Sequence, residues 1–113
     1  MAMLRVGALS EGALDAAAAF HAEVLPGVRA ALETGADLVL VFDPAGCEHR
    51  AWRLAAVQQL ARDHAPCRIN ALEGDDEDAI AAAVSYVDQA PGLTGQLLRL
   101  DRNGASALLS SLT

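Results

Sequence analysis

The sequence contains no lysine: all eight of its basic residues are arginine. That absence excludes Schiff-base chemistry and any proton relay through a side-chain amine, because a guanidinium holds its proton too tightly to exchange it. Aromatic residues are almost as scarce, at 4%. The core must therefore be filled largely by alanine and leucine, which suits helices packed closely on a sheet. Cys47 and Cys67 lie too far apart for a zinc knuckle or a redox pair, and a cytosolic disulfide is not expected. No apolar run approaches the ~18 residues of a membrane span. The opening MAMLRVGALSEGALD offers no stretch suited to a signal peptide before its first acid. The expectation is a cytoplasmic protein with no membrane partner. Basic charge is also short, and the resulting net charge of −7 argues against nucleic acid as a partner.

What is present fits one domain spanning residues 1–113. LRVGAL (Leu4 to Leu9) predicts a short strand. A helical stretch follows from about Ser10, a candidate N-cap, to Thr34, with Gly35 as its stop. DLVLVFD (Asp37 to Asp43) places five consecutive apolar residues between acids, the pattern of a strand buried on both faces. A second helix is predicted from about Cys47 to His64, and CRINAL (Cys67 to Leu72) as the third strand. EGDDED leads into a third helix near Asp75 to Gln89. GQLLRL (Gly95 to Leu100) is the fourth strand, and a final turn is expected at Ala105 to Leu112. Strand and helix alternate with short connectors, which predicts a parallel α/β sheet with covering helices.

The order of these pieces resembles the C-terminal half of the short-chain dehydrogenase/reductase family. The shared fragments are Leu25-Pro26, Leu60-Ala61, Ala65-Pro66, Arg68-Ile69-Asn70-Ala71, Gly74, Thr94-Gly95-Gln96 and Asp101, in register over roughly residues 13 to 104. The resemblance implies a Rossmann-like, three-layer α/β/α fold. Its four-stranded parallel sheet would run in sequence order, as half of a family sheet, with the third helix on the face opposite the first two. It also implies what is missing. The family's glycine-rich cofactor turn has no counterpart, only Gly7 ahead of the first helix. The positions of the catalytic tyrosine and lysine hold Gly46 and Arg50, the helix asparagine falls near Ala13, and the serine-bearing loop is absent. A truncated, catalytically empty member is expected, with no nicotinamide cofactor and no catalytic residues.

Other groups were weighed for chemistry of their own. Cys47, at a helix start where unpaired amides lower a thiol pKa, is a candidate nucleophile with His49 as base, although residues two apart do not face each other on a helix. Arg50 and Arg53 lie near the C-terminal strand ends, where ligands of open α/β sheets bind. With Arg68 they are candidates for holding a small carboxylate or phosphate. The alternative for all three is pairing with the surplus of acids. The EGDDED acids are explained by capping and the helix macrodipole rather than by a metal. His21 is placed on the first helix's apolar stripe, and His64 at the C-terminal carbonyls of the second.

Three functions remain open at this level. The leading one is a non-catalytic module acting through oligomerisation or protein binding. The second is a small-ligand binder or an enzyme with a new site near Cys47, Arg50 and Arg53. The third is a regulatory partner of a full-length dehydrogenase. A homodimer through the first two helices is expected, as the resemblance implies. At 100° per residue, Leu14, Ala18, Leu25, Val28 and Leu32 form the core stripe of the first helix, flanked by Phe20 and Val24. Trp52 and Ala56 point away from the second helix's stripe of Leu54, Val57, Leu60 and Ala61. The expected interface residues are thus Phe20, Val24, Trp52 and Ala56, with Trp52 as its hot spot.

Overall fold

The computed structural model describes residues 1–100; the turn expected at Ala105 to Leu112 and the matched Asp101 lie outside the described residues. Four strands, β1 (Ala2–Arg5), β2 (Leu38–Phe42), β3 (Ile69–Glu73) and β4 (Leu97–Arg99), form an all-parallel sheet in sequence order. β1 lies earlier than the apolar run Leu4 to Leu9 suggested, because Gly7 takes a positive φ of 80° and turns the chain away. Between β1 and β2 run α1 (Ala13–Ala19), a π-helical segment (Phe20–Val24) and α2 (Leu25–Leu32). α3 (Arg50–Asp63) follows β2 after a 3-10 turn at Cys47–His49, and α4 (Glu77–Asp88) joins β3 to β4. Among the described residues no helix is long and apolar enough to cross a membrane.

Every residue of β2 and of β3 is buried. Their alternation divides the core in two. Leu38, Leu40, Phe42, Ile69 and Ala71 meet Phe20, Val28 and Leu32 of the first helical stretch and Ala56, Val57 and Leu60 of α3. Val39, Val41, Leu72 and Leu98 meet Ile80, Ala83 and Val87 of α4 on the other face. The fold is the three-layer α/β/α arrangement expected. All three crossovers step the same way along the sheet. The last passes over the opposite face, so its hand is opposite to that of the first two, a rare reversal in parallel sheets.

The first helical stretch departs from the sequence reading in an instructive way. Pro26 has no N–H and its ring crowds the carbonyl four residues back, so a regular helix cannot pass through it. The chain widens into the π-helical segment just before it, which acts as a one-residue insertion in the helical phase. Val28 and Leu32 still face the core. Upstream of the segment the buried positions become Ala16 and Phe20, while Leu14 is 88% exposed and His21 is exposed. His21 is thus not a core histidine; its Nδ1 donates to the Ala17 carbonyl at 2.7 Å. The helix also starts at Ala13 with Gly12 as N-cap, so Ser10 caps nothing.

The side chains expected at a helix-face interface lie partly or wholly in the chain's own core. Phe20 is fully buried and Ala56 is 8% exposed, while Val24 and Trp52 are half-buried against the same core. The Trp52 ring lies against Phe20 and Phe42, with centroids 5.6 and 5.8 Å away.

The family fragments Arg68–Ala71 and Thr94–Gln96 meet in space. Asn70, 1% exposed, donates from Nδ2 to the Leu93 carbonyl at 2.9 Å and accepts from the Gln96 amide at 3.1 Å. The Thr94 hydroxyl accepts from the Ile69 amide, and Gly95, at φ 72°, donates to the Ile69 carbonyl at 2.7 Å. The turn before β4 is thereby sewn to β3, a folding role that needs no active site. Arg68 works beside it. Its guanidinium donates to the carbonyls of Val87, Ala90 and Leu93 at the end of α4, and to Asp37 at 3.0 Å. At the start of α4, Asp76 caps the Asp78 and Ala79 amides.

Two measurements check this stitching. Truncating Asn70 to alanine removes a donor to the Leu93 carbonyl and the acceptor of the Gln96 amide, and chemical denaturation should show a loss of about 1–3 kcal/mol. The hydrogen bond from the Arg68 amide holds the Asp37 carboxyl below its ordinary pKa, helped by the Arg68 side chain and opposed by burial. A depressed carboxylate pKa contributes stability above the unfolded-state value and loses it as pH falls toward the folded one. Asp37→Asn should therefore be less stable than wild type near about pH 7, and the gap should narrow as pH falls below the ordinary carboxylate range.

Candidate functional site

At the C-terminal ends of β1 and β2 two loops, Gly7–Glu11 and Asp43–Gly46, border a cleft of about 420 Å³. Open parallel sheets place ligands at this edge because the loops there diverge over unpaired strand ends. Three of the chain's four aromatics gather beneath it. Phe20, Phe42 and Trp52 form one cluster, and the Arg53 guanidinium stacks over Phe42 at 4.5 Å from the ring centroid.

Arg53 projects from the second turn of α3, and Glu73 ends β3 on the same face of the sheet. Both are 5% exposed, and Arg53 Nη1 stands 3.7 Å from Glu73 Oε2 while donating to the Asp43 carbonyl at 2.9 Å. Burial pushes the Arg53 pKa down, with Glu73 and Asp43 pulling the other way. The pair is offset from the two-pronged geometry that a guanidinium and a carboxylate can adopt. As a result Arg53 Nε and Glu73 Oε1 have no hydrogen-bond partner among the described residues. Sequence reasoning proposed Arg53 as a ligand residue but missed Glu73. The signal was an acid ending an otherwise apolar strand, which read as the start of the acidic loop.

His49, 5% exposed, uses both ring nitrogens. An indole N–H only donates, so the Trp52 Nε1–H bond of 3.1 Å makes His49 Nδ1 the acceptor. Nε2 then carries the proton and donates to the Glu11 carbonyl at 2.8 Å. The ring clasps the loop after β1 to the start of α3, and neither nitrogen is left to serve Cys47 as a base. Cys47 itself is exposed in the 3-10 turn.

The other candidates separate. Arg50 is exposed and does not line the cleft, and Arg68 lies at the opposite end of the sheet, before β3, engaged with α4 and Asp37. The three arginines are therefore not one anion site. Glu11, Asp43 and Glu48 line the cleft against the single cation Arg53, whose charge Glu73 already balances. The surface presented to a ligand is acidic. The Glu48 carboxylate also folds over Gly46 into the space where any side chain on that glycine would begin. Among the described residues no three His, Cys, Asp or Glu side chains gather at metal-ligating spacing.

The buried pair yields a two-part prediction. Glu73→Ala leaves a buried guanidinium without its counter-charge and should cost about 3–5 kcal/mol in chemical denaturation. Replacing the pair together, Arg53→Met with Glu73→Leu, should recover most of that loss, because the desolvation of both charges disappears.

Comparison with known proteins agrees with the fold. No match was found among curated proteins or among solved structures. The family model described as short chain dehydrogenase-like protein matches residues 4–100, from the first strand to the end of the last. The chain belongs to the short-chain dehydrogenase-like family.

Proposed function

We infer that this chain is a non-catalytic member of its family that acts through contact with other protein chains. The observation that carries the reading is the acidic cleft at the C-terminal sheet edge. A nicotinamide dinucleotide brings a pyrophosphate with two negative charges, and Glu11, Asp43 and Glu48 would repel it. Arg53 is already matched by Glu73, and His49 is tied at both nitrogens. Gly46 and Arg50 occupy the positions that the resemblance assigns to the tyrosine and lysine. The residues present do not fit the cofactor.

A second reading has one observation in its favour, the cleft volume of about 420 Å³, which suits a small molecule. Its acid rim selects against the carboxylate or phosphate first considered for Arg50 and Arg53, and favours an uncharged or cationic compound.

Calorimetry with each oxidised and reduced nicotinamide dinucleotide separates family chemistry from the proposal. Binding should be weaker than a Kd of about 100 μM, a free energy of about −5.5 kcal/mol. Tighter binding with turnover of a carbonyl or alcohol substrate would overturn the reading. Cys47→Ala should leave thermal stability unchanged within about 0.5 kcal/mol, as expected of an exposed side chain outside the core.

A further inference from the structure

Three features outside the family chemistry invite a further role. The first, the acidic cleft, belongs to the site already described. The second is a crevice of about 200 Å³ between the π-helical segment and α3, which holds His21, Asp63 and His64. Each histidine directs Nδ1 to a backbone carbonyl, but no metal-ligating group forms there. The third is the free margin of β1, where backbone, apolar surface and charge coincide.

β1 pairs only with β2 and so ends the sheet. The amides of Ala2 and Val6 point inward, to the Asp37 and Val41 carbonyls. Strand alternation then turns the N–H and C=O groups of Met3 and Arg5 outward, with no strand beside them among the described residues. No lysine, proline or bulge blocks this margin, although such devices usually protect an exposed edge. The side chains differ between faces as well. Ala2 and Leu4 pack on the α1–α3 side, whereas Met1 and Met3 are 42% and 46% exposed on the α4 side. There they line a groove of about 480 Å³ against Ile80, Ala81 and Val84 of α4. Arg5 pairs with Glu77 at one end of the groove, at 2.6 Å. Asp88 lies at the other end, in a last helical turn without a basic residue. Arg68 is engaged there with backbone carbonyls and Asp37, and no ion pair among the described residues includes the Asp88 carboxylate.

We propose that β1 of one chain pairs antiparallel with β1 of a second copy, extending the two sheets into one of eight strands. This names the partner for the contact-based function above and rests on that reading. The outward groups set the register. Met3 faces Arg5 of the partner subunit and exchanges both backbone hydrogen bonds with it, and Leu4 faces its own copy on the two-fold axis. Each Arg5 then lies beside Met3 of the other chain, within reach of the acidic Asp88 end of that chain's groove. The basic end of each margin meets the acidic end of the other, and the methionines cover Ile80 and Val84 between them. A two-fold contact of this kind closes on itself and does not propagate into fibres.

The test is sedimentation equilibrium of the full chain across micromolar concentrations, with circular dichroism to confirm that each variant is folded. Wild type should show a monomer–dimer equilibrium with a Kd of order 1–100 μM, weak because the paired strand is short. Arg5→Asp should weaken dimerisation at least ~10-fold, a change of about 1.4 kcal/mol. The double change Arg5→Asp with Asp88→Arg should restore it to within about threefold, about 0.7 kcal/mol. Glu77→Gln, which removes only the pair within one chain, should leave the dimer intact. Amide exchange at Met3 and Arg5 should slow as concentration rises. A monomer at every concentration, a dimer indifferent to Arg5→Asp, or a double variant without rescue would each overturn the inference. Any of these would leave the non-catalytic reading standing, whereas productive dinucleotide binding would overturn that reading and leave the dimer untouched.

Discussion

Two adjacent strands have no face left for water. Every residue of β2 and β3 is buried, so both faces of the sheet's centre must be covered, and that requirement orders the rest of the molecule. The α1–α2 stretch and α3 cover one face while α4 alone covers the other, which forces the final crossover to the opposite side. One helix cannot shield four strands. The α4 face of β1 is therefore the part of the sheet left open, and Met3 is exposed there although it stands in a strand.

The family motifs that look most like an active-site inheritance carry fold rather than chemistry. Asn70, Ile69, Thr94, Gly95 and Gln96 exchange the hydrogen bonds that seat β4 against β3. Arg68 gathers the trailing carbonyls of α4 and pairs with Asp37. These bonds satisfy buried backbone groups that would otherwise be orphaned, at a cost comparable to losing the bond. Such residues have a purpose in the fold that does not depend on any catalytic residue.

The cleft follows the same logic. A buried Arg53–Glu73 pair, an aromatic cluster and a doubly bonded His49 stand beneath the loops where a cofactor would need a proton donor and cationic reach. A buried ion pair is weak evidence for stability, since desolvating both charges offsets most of their attraction. It does fix geometry: Arg53 ties α3 both to Glu73 at the end of β3 and to the Asp43 carbonyl just after β2.

Much of this was legible in the residues. Alternating strand and helix, the two-face burial of Leu38–Phe42 and the ordered family fragments led to the sheet order and the layers, because apolar periodicity and turn chemistry are local. Side-chain destinations that depend on helical phase were not legible. One extra residue in the π-helical segment ahead of Pro26 turned Phe20 inward and Leu14 and His21 outward. Glu73 became Arg53's partner, and Arg68 was carried to the far end of the sheet from Arg50 and Arg53. Local sequence determined which elements form and in what order. Only tertiary packing decided which faces they bury, because a single shift of phase redirects every side chain upstream of it.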